Sequence, residues 1–407
     1  SYSLLQRSFG ICFWGAALLF FPLAASADTL GQKVNFFIDS AFDAQERSAV
    51  SSTLHKITDQ LYFYVEDAWW SSLDDKRKNE VALSFENLSA HFENEIYPAL
   101  TSLFGTEHTP GIDKDTRVTV LVHAMKQNVK GYFNTADGYS RLQTSRSNER
   151  ELVYLASEGV ESELAKSYLA HEFMHLIYFN QKELIRGVAD DTWLQEGLAE
   201  LAPTFVGYDE GSEGSYLAKR ARDFISNPRD SLTEWRGLPS DYGAVNMFFQ
   251  YIRDHYGKEV FSNIVKSPKA GIASIADALS KSGFRENFFD VFTNWTIALF
   301  LNDCSYGERY CFTNSNLKNL RVSPFTNFLS PFGESQLTVT NQTKNWAGNW
   351  HKISGGKGIL EVKFDGNPEV RFTVPYAVQK NSGEYEIGFF ALGSEQDGKI
   401  QIKDFGA

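Results

Sequence analysis

The run His171-Glu172-Phe173-Met174-His175 constrains this chain more than any other five residues in it. On an α-helix, positions four apart lie about 40° apart on one face, so the two imidazoles can address a single metal ion. Glu172 projects from the same turn, where its carboxylate can take a proton from a water molecule rather than bind the metal itself. The surrounding segment, from Tyr168 to Phe179, is apolar almost all round, which predicts a helix buried on most faces. Two buried imidazoles and a carboxylate need strong partners, and one zinc ion serves both imidazoles at once. The competing reading is a pair of hydrogen-bonded core histidines beside a solvated Glu. Taken as a metal motif, the run is the signature of a zinc-dependent hydrolase.

A zinc site of this kind needs a third protein ligand and leaves one position to water. After the polar, Gly-containing stretch Arg186 to Asp191, a second helical run begins, Trp193-Leu194-Gln195-Glu196-Gly197-Leu198-Ala199-Glu200-Leu201-Ala202. Twenty residues separate His175 from Glu196, enough for the first helix to end, turn and return as an antiparallel partner. Glu196 is therefore the expected third ligand. Glu200 lies one turn further on the same face, where it either accepts the outer ring N–H of a ligand histidine or is a solvated helix carboxylate.

With these residues in place the chain resembles the gluzincin metallopeptidases, and within them the hyicolysin family of bacterial zinc metallopeptidases. The stretches Ser147 to Tyr154, Thr192 to Ala199, Asn227-Pro228 and Ser231 to Trp235 carry the likeness over roughly residues 34 to 330. Two positions depart from the family pattern: Met174 stands where Gln is usual, and Gln195 where Asn is usual. Neither is a ligand position. The resemblance implies an α+β fold, with a mixed β-sheet lobe and a helical lobe holding the metal between them. It also implies that the short strand Glu151 to Leu155 lies at a sheet edge above the metal and pairs with extended substrate. The segment Asp241 to Gly257 is similar to one in gluzincin aminopeptidases whose opening Tyr stabilises the transition state, which makes Tyr242 the candidate oxyanion donor. His255 is the alternative donor, its competing reading being an exposed residue in the last helical turn.

Arg7, the apolar stretch Phe9 to Leu23 and the small residues Ala25-Ser26-Ala27 read as a cleaved signal peptide over residues 1–27, with a retained anchor as the competing reading. The expected localisation is thus exported, periplasmic or extracellular, without stable membrane insertion. Cys304 and Cys311 remain as an even pair in the exported part, and a disulfide between them is expected. The net charge of −12, with Lys and Arg scattered, offers no basic face for nucleic acid.

Residues 28–407 are too many for one core. The pattern divides them into a mixed α/β lobe over 28–160, a helical lobe carrying the zinc site over 161–330, and a small antiparallel β domain over 335–407. Strands are expected at Val34 to Ile38, Gln60 to Val65 and Val118 to Val122, and an amphipathic helix from Val81 to Phe104. Leu360 to Phe364 and Glu369 to Val374 should form a hairpin about Asp365-Gly366-Asn367-Pro368. Trp346 and Trp350 are either core residues or an aromatic binding patch. The leading functional expectation is an exported zinc metalloendopeptidase acting on protein or peptide. Its rivals are a zinc aminopeptidase, although the G-x-M-E-N motif of those enzymes is absent before the zinc helix, and a non-catalytic binding protein that uses the C-terminal β domain.

Overall fold

The computed structural model describes residues 27–209 and 211–406; the expected signal segment lies almost wholly outside them. Strands β1 (Lys33–Phe37), β2 (Ala49–Ile57) and β3 (Leu61–Glu66) form an antiparallel meander. Three helices follow, α1 (Asp67–Ser72), α2 (Asp75–His91) and α3 (Tyr97–Phe104), the last two joined by one π turn into a continuous rod. The rod starts six residues before the expected Val81. Its first turns, Asp75 to Glu80, are polar and carry no apolar period, but Asp74 caps them by accepting the Arg77 N–H at 2.8 Å.

Strands β4 (Val118–His123), β5 (Gly131–Phe133) and β6 (Leu152–Ala156) complete a six-stranded mixed sheet in the order β1-β2-β3-β4-β6-β5. β3, β4 and β6 are parallel and fully buried, whereas β5 runs antiparallel at the edge. Successive side chains on β3 serve opposite faces. Leu61, Phe63 and Val65 join the large core beneath the helices, while Tyr62 and Tyr64 pack on the other face with Phe36, Leu54 and Tyr154.

The helical lobe comprises α4 (Ala165–Tyr178), α5 (Thr192–Val206), α6 (Tyr216–Ser226), α7 (Pro239–Tyr256), α8 (Lys258–Lys266), α9 (Gly271–Lys281) and α10 (Phe288–Leu301). α4 carries no Gly or Pro and is buried almost all round, with Leu169, Ala170, Phe173, Met174 and Ile177 sealed from solvent. A π turn extends it to Leu184, and the chain reverses at Gly187 with φ +67°. The turn is locked from inside. Lys182 is buried and ion-paired with Asp190 at 3.0 Å, its ammonium also donating to the carbonyls of Ser267 and Lys269. Tyr178 donates to the same Asp190 carboxylate at 2.5 Å, which ties the end of α4 to the start of α5.

Beyond α10, Cys304 and Cys311 are joined in a disulfide. Strand β7 (Phe325–Leu329) pairs in parallel with β8 (His351–Gly355), so the β segment is not purely antiparallel. β9 (Gly358–Asp365), β10 (Pro375–Gln379), β11 (Tyr385–Phe389) and β12 (Asp397–Phe405) form two antiparallel ladders, β9 with β12 and β10 with β11. The expected hairpin does not form. Glu369 to Val374 is not a strand, and β9 takes β12 as its partner instead. The segment is held by a side chain, the Phe372 N–H donating to Gln396 Oε1 at 2.9 Å, while its ring meets that of Phe364. No residue from His351 to Gly406 is buried. Trp346 and Trp350 belong to the helical core: Trp346 meets Phe288 and Phe292 edge-on, and the Trp350 indole donates to the Thr296 carbonyl at 3.0 Å.

Candidate metal centre

The antiparallel packing of α4 and α5 brings His171, His175 and Glu196 to one point. His171 Nε2 and His175 Nε2 are 3.2 Å apart, and Glu196 Oε2 lies 3.5 Å from the first and 3.6 Å from the second. The point equidistant from these three atoms is about 2.0 Å from each, the length of a zinc–nitrogen or zinc–carboxylate bond. Glu196 Oε2 is buried and has no hydrogen-bond partner. Two facing imidazole nitrogens and a buried carboxylate oxygen within 3.6 Å of both fit a divalent cation. Burial acts to raise the Glu196 carboxyl, but attraction to His175 and contact with His171 outweigh it and hold the group far below the usual range. Gly197 lets α5 seat at this depth, because a Cβ there would come within 2.6 Å of the Phe249 ring on α7.

Glu172 is 5% exposed, and its carboxylate lies against Gly131 of β5. Burial pushes its carboxyl up to about 8; His175 opposes the shift, and Glu196 and Glu200 add to it. Gly131 of β5 passes directly over it, so closely that a Cβ would fall 2.7 Å from Glu172 Oε1. Phe133, two residues on, lays its ring parallel to that of His175 with centroids 6.1 Å apart.

The edge strand above the site is thus β5, not the stretch Glu151 to Leu155. β6 is hydrogen-bonded on both sides, to β4 and to β5, and offers no free backbone. The loop after β5 is fixed by Asp137, which accepts from the Asn148 N–H at 2.9 Å and from the Tyr154 hydroxyl at 2.6 Å.

Glu200 is fully buried, which removes the solvated-carboxylate reading. Its Oε1 lies 3.4 Å from His171 Nδ1, the ring nitrogen on the far side from the cluster. Two residues of α6 that sequence reasoning missed hold it there. Arg220 donates through Nε at 2.7 Å and Nη2 at 2.6 Å, and the Tyr216 hydroxyl donates at 2.7 Å while standing 3.3 Å from His171 Nδ1. Asn246 of α7 adds a contact at 3.3 Å.

Tyr242 sits in the first turns of α7. Its ring meets Trp235 edge-on at 4.8 Å and lies under the Arg220 guanidinium at 4.8 Å. Burial raises its phenol far above the ordinary value, and the carboxylates of Glu196, Glu200 and Glu172 add to the shift. Among the described residues that hydroxyl has no hydrogen-bond partner. His255 lies thirteen residues along the same helix, about 20 Å away by helix rise. It is half-buried, with Nε2 2.7 Å from the Cys311 carbonyl, and is neither an exposed residue nor part of the centre.

No protein-family model matches the chain. It is 26% identical over 245 residues to the neutral metalloprotease ShpI of Staphylococcus hyicus, an alignment covering 53% of this chain and 52% of that one. The chain therefore spans about half the length of the curated relative it matches. The structure of native yeast LTA4 hydrolase superposes with a TM-score of 0.38 at 11% identity, over 61% of this chain and 39% of the other. At that score the likeness adds nothing to the fold described above.

Proposed function

We propose that the chain is a zinc metalloendopeptidase of the hyicolysin-like gluzincin type, exported to the periplasm or the medium and acting on protein or peptide. The single observation that carries the reading is the convergence of His171 Nε2, His175 Nε2 and the unpartnered Glu196 Oε2, with Glu172 beside them. The identity to a neutral metalloprotease supports the family, and the Cys304–Cys311 bond supports export. His171, His175 and Glu196 would hold one zinc ion, with Glu200 fixing the ring of His171. When bound, zinc supplies Lewis acidity to water and carbonyl, and a charge that draws the raised Glu172 carboxyl back towards ionisation.

In this reading Glu172 takes the proton of the attacking water and carries it to the leaving amine. The Tyr242 hydroxyl, unengaged within the described chain, donates to the oxyanion as it develops. β5 aligns the substrate by adding it as a further strand, and Gly131 keeps the space over Glu172 clear of a side chain. Two lobes divide the labour, residues 28–160 supplying the strand and 161–330 the metal ligands.

The test uses internally quenched peptides blocked at both ends. An endopeptidase cleaves them, loses activity to a chelator and regains it with Zn²⁺. An aminopeptidase leaves them intact, and a binding protein cleaves nothing.

A further inference from the structure

The segment Asp190 to Thr192, which opens α5, faces Thr233 and Trp235 across an open surface pocket of about 530 Å³, which Ile272 of α9 also lines. It adjoins the candidate metal centre on two counts. Thr192 stands one helical turn before Glu196 on the same face, about 6 Å along the axis. Trp235, which forms one wall, packs its ring against Tyr242 at 4.8 Å.

That wall is rigid. Ser231 donates to the Asn345 carbonyl at 2.7 Å, Leu232 to the Trp346 carbonyl at 2.9 Å, and Lys344 bridges Asp230 at 2.8 Å and Glu234 at 3.1 Å. The strap from Lys344 to Trp346 thereby holds the loop that presents Trp235.

The charges in the pocket do not cancel. Asp190 is sealed and neutralised by the buried ammonium of Lys182. Asp191 is exposed; one oxygen accepts the Trp193 indole N–H at 3.3 Å, its side chain does not cap α5, and it has no basic partner among the described residues. One uncompensated carboxylate, two threonine hydroxyls and an indole surface suit a guest with an apolar stem and a cationic head.

We propose that this pocket is a specificity subsite, taking the lysine or arginine side chain of a residue beside the scissile bond, with Asp191 as its anion. The assignment rests on the metallopeptidase reading, and its test is arranged to separate the two. The zinc-loaded protein is given blocked peptides that differ only by arginine or citrulline at positions flanking the cleaved bond. In parallel, calorimetry compares N-acetyl-arginine amide with N-acetyl-citrulline amide. The wild type should favour arginine by about two- to fivefold in both kcat/KM and affinity, the scale of an ion pair with an exposed carboxylate. In Asp191→Asn the ratio should fall to near one, and in Asp191→Glu it should persist. Cleavage without discrimination in the wild type, or discrimination that survives Asp191→Asn, overturns the subsite and leaves the peptidase reading standing. Selective binding of the arginine probe, lost in Asp191→Asn, with no cleavage of any peptide keeps the subsite and overturns the peptidase reading.

Discussion

Arg220 grips Glu200 through two nearly parallel hydrogen bonds, Nε to Oε2 at 2.7 Å and Nη2 to Oε1 at 2.6 Å. Both groups are buried, and the Glu200 oxygen nearest His171 Nδ1 is one of the two so held. The fork thus sets the orientation of an imidazole it never touches.

Breaking the fork should loosen the metal without abolishing it. Arg220→Gln is expected to weaken zinc affinity by about 10- to 100-fold, the usual effect of losing an outer hydrogen-bond partner. It should also lower stability by about 3 kcal/mol, because Glu200 stays buried with its counter-charge gone. Competition against a chromogenic chelator, with urea unfolding as the companion, reads both. Wild-type zinc affinity in the folded variant would remove Arg220 from the account of the site.

Tyr242→Phe should lower kcat and leave KM nearly unchanged, since the hydroxyl has no partner until an oxyanion develops. The loss should be smaller than that from removing Glu172. A rise in KM at constant kcat would mean that Tyr242 binds substrate and does not stabilise the transition state.

Glu151 gives a pH signature away from the metal. It is 4% exposed, and burial, then repulsion from Asp113 and Glu107, pushes its carboxyl up to about 8 against the N–H groups of Glu151 and Ile112. A carboxyl raised on folding binds more protons in the native state between its unfolded value of 4.5 and about 8. Its contribution to stability is therefore full at low pH and is lost as pH rises through that window. At about 1.4 kcal/mol per pH unit, the loss is at most several kcal/mol. Glu151→Gln does not titrate, so it should gain on the wild type between pH 5 and pH 9 in urea unfolding. A stability difference that is the same at both values would contradict this.

The α4 and α5 pair was legible because its signals are local. A Gly-free apolar run with two histidines four apart, a polar turn and a second periodic run place His171, His175 and Glu196 without knowledge of any distant contact. Tyr216 and Arg220 were not, since their meeting with Glu200 depends on how α6 lies across α5, and an i,i+4 Tyr and Arg on a helix signal nothing alone. β5 escaped for another reason. Three residues are too few to show an alternating period, so β5 was not expected, and the edge that the resemblance gave to Glu151 to Leu155 belongs to Gly131–Phe133. The Leu360 to Val374 hairpin failed because alternation shows that a strand exists and not which strand it pairs with.

The central claim is that Glu172 does chemistry on a metal it does not hold. Glu172→Gln keeps the size of the side chain and leaves His171, His175 and Glu196 untouched. Zinc content and cleavage of a blocked peptide are measured on the same purified sample. The account predicts one zinc per chain and cleavage reduced by at least about a hundredfold, the low end of what a positioned general base contributes. Near wild-type cleavage with zinc in place would contradict it.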